Sequence, residues 1–341
     1  ITAVWPGFRD KLYGIAFDVG STTVAAHLCD LASGAVVASA GKMNPQIRYG
    51  EDLMSRVSYI MMNPGGEEKL VAAVRQAMNE LIVDVTAQVN LEITDVLELT
   101  IVGNPIMQHL VLGISPVELG TAPFALATDS SVDTRASDIG LAIHPGGYAY
   151  ALPCIAGHVG ADAAGVLLAE APQEHDGVSL LVDVGTNAEI LLGNAERLLA
   201  ASSPTGPAFE GAQISGGQRA APGAIERVRI DKETFEPRFR VIGSDLWSDD
   251  PRFSDEAPKV TGICGSGIIE VIGEMFLAGI LSADGKIAAS DSARVVEDGR
   301  TNAYLLHDGD PTIHITQNDV RAIQLAKAAL HAGARLLMEH Y

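Results

Sequence analysis

A strand-and-turn unit occurs twice in this chain. Gly14-Ile15-Ala16-Phe17 runs into Asp18-Val19-Gly20-Ser21-Thr22-Thr23, and Leu180-Leu181-Val182 runs into Asp183-Val184-Gly185-Thr186-Asn187. In both copies an apolar run of strand length ends at an acid, then a glycine, then hydroxyl or amide residues. A hairpin and a third strand follow each copy. A repeat with so long a period implies two lobes of one topology. Chance recurrence of strand-turn-strand units is the bland alternative, and the shared register of acid, glycine and hydroxyl argues against it.

The loops have the composition of an anion site. A strand that turns sharply at glycine exposes consecutive N–H groups, which form an anion-binding concavity. Gly20 and Gly185 carry no Cβ, so phosphate oxygens can approach the backbone. Ser21, Thr22, Thr23, Thr186 and Asn187 add side-chain donors. Asp18 and Asp183 would repel a phosphate directly. Each can hold Mg²⁺ through water, since that ion keeps several waters and takes one or two carboxylates. Two loops gripping a triphosphate would supply the positioning and charge neutralisation that phosphoryl chemistry needs. No G-x-x-x-x-G-K-[ST] occurs, so this is not a P-loop. Gly262-Ile263-Cys264-Gly265-Ser266-Gly267 is a Gly-rich turn before an apolar helix, but no dinucleotide-binding strand–turn–helix unit surrounds it. Its N–H groups could receive a phosphate or ribose, and close helix packing explains the glycines equally well. Cys264 reads as a small packed residue rather than a nucleophile.

Length and charge narrow the setting. The 341 residues suggest about two domains, and 47 % hydrophobic residues suffice for sizeable cores. Thirty-five glycines and 5 % aromatics suit an α/β protein with many tight turns. The net charge of −20 disfavours nucleic acid and anionic membranes as partners, so phosphates must be neutralised locally. Cys29, Cys154 and Cys264 lie far apart and form neither a zinc knuckle nor an iron–sulfur framework. No signal peptide and no long uncharged apolar run is present, which predicts a cytoplasmic protein. The first residue is Ile and residues 324–341 read as an amphipathic helix without a cap, which predicts a piece of a longer protein.

Along the chain, strands are expected at residues 13–17, 24–31 and 35–40, joined by hairpins. Residues 41–66 read as irregular. Residues 67–90 read as a helix, with Val71, Val74, Met78, Leu81 and Ile82 at helical spacing. A buried strand at 97–102 ends at Gly103-Asn104-Pro105, a helix begins near Met107, a strand covers 148–154 and a helix 161–170. The pattern then restarts with strands at 178–182, 187–192 and 197–201.

At these residues the chain resembles the acetate and sugar kinase/Hsp70/actin superfamily. Within it, the chain resembles the C-terminal domain of reductive activators of corrinoid proteins. The resemblance rests on residues 18–23, 102–110, 156–162, 183–189, 206–212 and 262–267, the Gly206-Pro207-Ala208-Phe209-Glu210-Gly211 run being the most specific. It implies an actin-like or ribonuclease H-like ATPase fold with duplicated βββαβα lobes, the first over residues 1–157 and the second over 158–341. The second would stop short of its final strand and adenosine loop. It implies ATP and Mg²⁺ as ligands, and the use of ATP to drive reduction of Co(II) to Co(I) in a corrinoid protein of a methyltransferase system. The electron would enter through an N-terminal [2Fe-2S] domain outside this chain. A homodimer is a further implication.

Site residues come from loop chemistry and resemblance together. Asp18 and Asp183 are the expected Mg²⁺ and catalytic residues, and Glu189 could orient water or line the cleft. Gly20, Ser21, Thr22, Thr23, Gly185, Thr186, Asn187, Gly262, Gly265, Ser266 and Gly267 are expected at the nucleotide. Asn104 could face a ligand crevice or form a turn with Pro105. Asp162 could cap its helix or face the nucleotide. His109 and His158 have no second ligand at helical spacing, which disfavours a metal role. Ser202, Ser203 and Glu210 are candidate contacts for the corrinoid partner, against an ordinary turn for the serines. The rival functions are a small-molecule kinase of the same fold, with Asp162 as its acid, and a non-catalytic ATP-binding regulatory module.

Overall fold

The computed structural model describes residues 2–341. The chain divides into two compact units. One holds the residues up to 181 together with 193–200, and the other holds 182–192 and 201–341.

The first unit opens with β1 (Tyr13–Val19), β2 (Thr23–Asp30) and β3 (Val36–Met43). Two helices come next, α1 (Leu53–Met62) and α2 (Gly66–Gln88), then β4 (Val96–Gly103) and α3 (Pro105–Leu112). β5 (Val132–Arg135), β6 (Tyr148–Ala151) and α4 (Ala161–Glu170) complete it. The six strands form one sheet in the order β3-β2-β1-β4-β6-β5. β1 runs antiparallel to β2 and parallel to β4, and β4 runs parallel to β6. The parallel trio therefore ends together on one edge of the sheet.

Side-chain pattern explains these elements. β1 alternates, with Ile15, Phe17 and Val19 buried and Asp18 exposed. In α2, Leu70, Val74, Met78, Leu81 and Val85 repeat at helical spacing and are all buried. Glu67 and Glu68 sit in its first turn, where the helix dipole favours acids. α2 packs its apolar stripe on β2 and β3. Residues read from sequence as irregular contain α1, which Asp52 caps by accepting from the Ser55 N–H at 2.7 Å.

Three further strands, β7 (Ser179–Val184), β8 (Ala188–Gly193) and β9 (Leu198–Ser203), form a sheet in that order. The second unit continues with β10 (Ala224–Ile230), β11 (Pro237–Val241), the short α5 (Phe253–Glu256) and β12 (Gly262–Ile263). Then come α6 (Gly265–Leu277), β13 (Val295–Asp298), β14 (Thr301–His307), β15 (Ile313–Ile315) and α7 (Gln317–His340). β10 to β12 and β13 to β15 make two more three-stranded sheets. The core combines Ile225, Val228, Ile268, Val271, Met275, Tyr304 and Ile323. Tyr304 is fully buried, and its hydroxyl donates to the Phe235 carbonyl at 2.8 Å. α7 starts seven residues earlier than the sequence pattern suggested. Thr316 and Asp319 form a capping box there, and Asp319 also accepts from the Ser215 N–H.

The fold class is mixed α/β, as expected. The opening of three strands recurs at β7, but the elements after it differ. β3 leads into two helices, whereas β9 leads through a 3-10 turn at Pro207–Glu210 into the strands β10 and β11. Among the described residues, no helix is long and apolar enough to cross a membrane.

Candidate functional site

The first loop, Gly20 to Thr22, closes the β1–β2 hairpin at the carboxyl end of the parallel strands. Asp18 pairs with Val102 of β4, and Val19 pairs with Gly103. A Cβ on Gly20 would lie 2.6 Å from the Thr23 carbonyl oxygen, and one on Gly103 would lie 2.7 Å from the Val19 oxygen. Only glycine permits these approaches. Asn104 caps α3, its side chain accepting from the Met107 N–H at 3.0 Å. The start of α4 lies against this turn. A Cβ on Gly160 would meet the Gly103 oxygen at 2.5 Å, the Asn104 Cα at 2.6 Å and Asp162 Oδ1 at 2.7 Å. Asp18, the Gly20 loop, Asn104 and Asp162 thus share one strand-end edge, where α/β sheets present their ligand crevices.

A buried polar network holds the loop from behind. Asn44 Nδ2 donates to the Gly20 carbonyl at 2.9 Å, and the Asn44 N–H donates to the Thr22 carbonyl at 2.9 Å. Arg56 Nη2 donates to the Ser21 carbonyl at 2.5 Å. Arg56 also donates through Nε to the Gly50 carbonyl and through Nη1 to Gln46 Oε1 and Met107 Sδ. Asn44, Gln46 and Arg56 are each 0 % exposed. Burial pulls the Arg56 guanidinium down to about 10, opposed by the Asp52 carboxylate, so it stays cationic at neutral pH. With three successive carbonyls engaged on the inner side, the loop is fixed before any ligand arrives.

The second loop is held in a similar way by different chemistry. The Gly185 N–H donates to the Asn187 carbonyl at 3.0 Å. Thr205 Oγ1 donates to the Gly185 carbonyl at 2.8 Å and reaches the Thr186 carbonyl at 3.1 Å. The Gly206 N–H donates to the Thr186 carbonyl at 2.9 Å. Thr186 Oγ1 donates to Glu210 Oε2 at 2.8 Å. Glu210, expected as a cleft or partner contact, reaches the second loop. Thr205 is 6 % exposed, so valine there removes the hydroxyl donor of the Gly185 carbonyl, while the Thr186 carbonyl keeps the Gly206 N–H. Thr205→Val is expected to lower stability by about 1–3 kcal/mol, read by denaturant titration.

Packing accounts for several of the other expected residues. Gly265 begins α6 and packs on Phe209 and Glu210: a Cβ there would lie 1.9 Å from the Phe209 oxygen. Gly262 and Gly267 lie close to Gln218 and the Ile225 carbonyl, while Ser266 is exposed. These contacts give the glycines a packing role. Cys264 is buried, its thiol near Ser266 Oγ at 3.3 Å. Asp162 lies in the first turn of α4, where Gly160 occupies the cap position. Ser202 donates to Glu189 Oε1 at 3.2 Å. Ser203 is 5 % exposed and donates to the Ala329 carbonyl of α7 at 2.6 Å, so its hydroxyl serves packing. His109 is buried, with Nδ1 near the Pro105 carbonyl and Nε2 accepting from the Ala127 N–H; His158 packs on Phe124 with the rings tilted by 58°. Among the described residues no group of three metal-ligating side chains converges. Sequence reasoning missed Asn44, Gln46 and Arg56. The readable signal was Asp52 at a helix start, which would have put Arg56 on an ordered element.

Fold and loops define an α/β protein of the acetate and sugar kinase/Hsp70/actin class. Residues 177–341 match the family model described as the C-terminal domain of RACo, the ASKHA domain, and residues 13–174 match the RACo middle region. The chain belongs to the RACo family. It is 34 % identical over 343 residues to the corrinoid activation enzyme RamQ of Eubacterium limosum, covering 97 % of this chain and 55 % of that protein. It is 25 % identical to a [Co(II) methylated amine-specific corrinoid protein] reductase of Methanosarcina barkeri, covering 96 % of this chain and 59 % of that one. The solved structure of a reductive activator for corrinoid, iron-sulfur protein superposes with a TM-score of 0.85 at 33 % identity, covering 98 % of this chain and 52 % of that one. The chain spans about half the length of the relatives it matches.

Proposed function

We propose that this chain is the ATP-dependent part of a reductive activator that returns the cobalt of a corrinoid protein from Co(II) to Co(I). The observation that carries the nucleotide reading is the first loop. Its carbonyls are tied inward to Asn44 and Arg56, and Asp18 stands exposed at the strand end beside it. That arrangement suits a phosphate with a hydrated Mg²⁺. The relatives' descriptions supply the corrinoid partner.

In this reading the backbone N–H groups and hydroxyls of residues 20–23 bind phosphate oxygens. Asp18 holds Mg²⁺ through water, which neutralises phosphate charge when bound. In the second unit the backbone at Thr186 and Asn187 would bind phosphate, the Thr186 hydroxyl being given to Glu210, and Asp183 would hold the metal through water. Glu189 orients a water. The resemblance to reductive activators further implies a [2Fe-2S] centre as the electron donor.

Calorimetric titration with ATP and Mg²⁺ tests the nucleotide reading, and ATP turnover with and without a Co(II) corrinoid protein tests the partner. Binding, with turnover raised by the corrinoid protein, is the expected result. Turnover raised by a sugar and indifferent to the corrinoid protein would select the kinase instead.

A further inference from the structure

We infer that the Gly20–Thr22 loop is the protein's anion seat because Arg56 backs it with a buried positive charge, and that this charge, beyond its hydrogen bonds, sets phosphate affinity. The inference deepens the nucleotide reading above and rests on it.

Arg56 is the largest of the fully buried side chains. Every atom its guanidinium donates to is neutral: the carbonyls of Ser21 and Gly50, Gln46 Oε1 and Met107 Sδ. Desolvating a cation against neutral partners is costly, and a glutamine or methionine would fill such a space more cheaply. The Asp52 carboxylate, which caps the same helix, offsets part of that cost, and an anion bound at the loop offsets more.

The geometry directs the charge at the loop. Arg56 Nη2 donates to the Ser21 carbonyl, which shares its peptide group with the Thr22 N–H. A cation on the carbonyl polarises that peptide and strengthens the N–H as a donor. Asn44 draws on the two flanking carbonyls, of Gly20 and Thr22, which fixes the loop around that peptide. The surroundings are strongly acidic overall, at a net charge of −20, so a local cation is needed where an anion is to bind.

The second loop makes the contrast. Its carbonyls are held by the Thr205 hydroxyl and the Gly206 N–H, both neutral, and its Thr186 hydroxyl is engaged by the Glu210 carboxylate. Two loops that share Asp-Val-Gly thus differ in electrostatic backing. The first is backed by a buried cation, and the second is backed by neutral donors with a carboxylate on its threonine hydroxyl.

Arg56 is a positioning residue, so its test must separate charge from shape. The probes are ATP, ADP and inorganic tripolyphosphate, titrated by calorimetry, with melting temperature followed in parallel. Arg56→Gln is expected to weaken ATP and tripolyphosphate by roughly 10- to 30-fold, with a smaller loss for ADP, and Arg56→Lys to recover most of it. Gln46→Glu places a carboxylate on the guanidinium and keeps Arg56 itself, at the loss of the Gln46 Nε2 donation to the Leu70 carbonyl. It is expected to weaken the same anions about 10-fold, with a melting temperature lowered by the lost hydrogen bond but the fold retained. It serves where Arg56→Gln does not fold. Unchanged tripolyphosphate affinity in folded Gln46→Glu overturns the inference, as does an equal loss in Arg56→Lys and Arg56→Gln. ATP bound alike by wild type and variants overturns the seat and leaves the nucleotide reading standing. Tripolyphosphate bound without ATP does the reverse, and binding of neither overturns both.

Discussion

Asparagine in place of Asp18 is expected to slow the proposed ATP turnover by about 100-fold or more, with ATP affinity measured without metal nearly unchanged. Asn matches Asp in size, so the β1–β2 hairpin keeps its shape. What is lost is the formal charge at the exposed end of β1, next to Gly20 and the Val102–Gly103 end of β4. In the proposed role that carboxylate holds metal water, and an amide oxygen is a far weaker partner for Mg²⁺. A steeper Mg²⁺ requirement in the variant is the signature of that role. Asp183→Asn behaves in the same way for the second loop. The measurement is steady-state phosphate release over a Mg²⁺ titration, with circular dichroism confirming the fold. A folded Asp18→Asn with wild-type turnover removes Asp18 from the metal site.

The two loops were legible because acid, glycine and hydroxyl come after apolar strands in register twice. Asp18 and Asp183 indeed stand at the ends of β1 and β7. The strands of the first hairpins were legible for the same reason: alternation of buried and exposed positions is written into residues 13–30. The network that holds the first loop was not. Arg56 is a charged residue in a stretch dense with Gly, Asn and Pro, and charged residues are almost never fully buried unless paired. Pattern reading therefore leaves it outside the core, although Asp52 marks the helix start. Glu210 was found in a family-specific run, but its target could not be read. Its bond to Thr186 spans 24 residues, and depends on how the Pro207–Glu210 turn lies against α6. Strands β12, β13 and β15 are four residues or shorter, and β12 pairs with β10 only at Ala224–Gly262 and Ile225–Ile263, so this pairing rests on tertiary packing rather than local pattern.

Alanine at two glycines of α6 moves stability in opposite directions. Helix propensity alone favours alanine over glycine by about 1 kcal/mol at an interior position. Gly273 meets no atom within 4 Å at its Cβ position, so Gly273→Ala gains about that much, read as a melting temperature higher by about 2–4 °C. Gly265→Ala meets the Phe209 carbonyl oxygen at 1.9 Å. This is a backbone atom in a turn fixed between Gly206 at φ 74° and Gly211 at φ 87°, and it cannot rotate aside like a side-chain tip. Either α6 or the turn must move, at a cost of about 2–3 kcal/mol, which exceeds the propensity gain and leaves a net loss of about 1–2 kcal/mol. The melting temperature is then expected to fall by about 2–8 °C. The displaced segment carries Glu210, so the Thr186–Glu210 hydrogen bond is lost with it. ATP affinity in Gly265→Ala therefore falls, measured below its melting transition, while in Gly273→Ala it does not. A Gly265→Ala protein as stable as Gly273→Ala would show that α6 does not press on the 207–210 turn, and would detach the Gly-rich segment from the second loop.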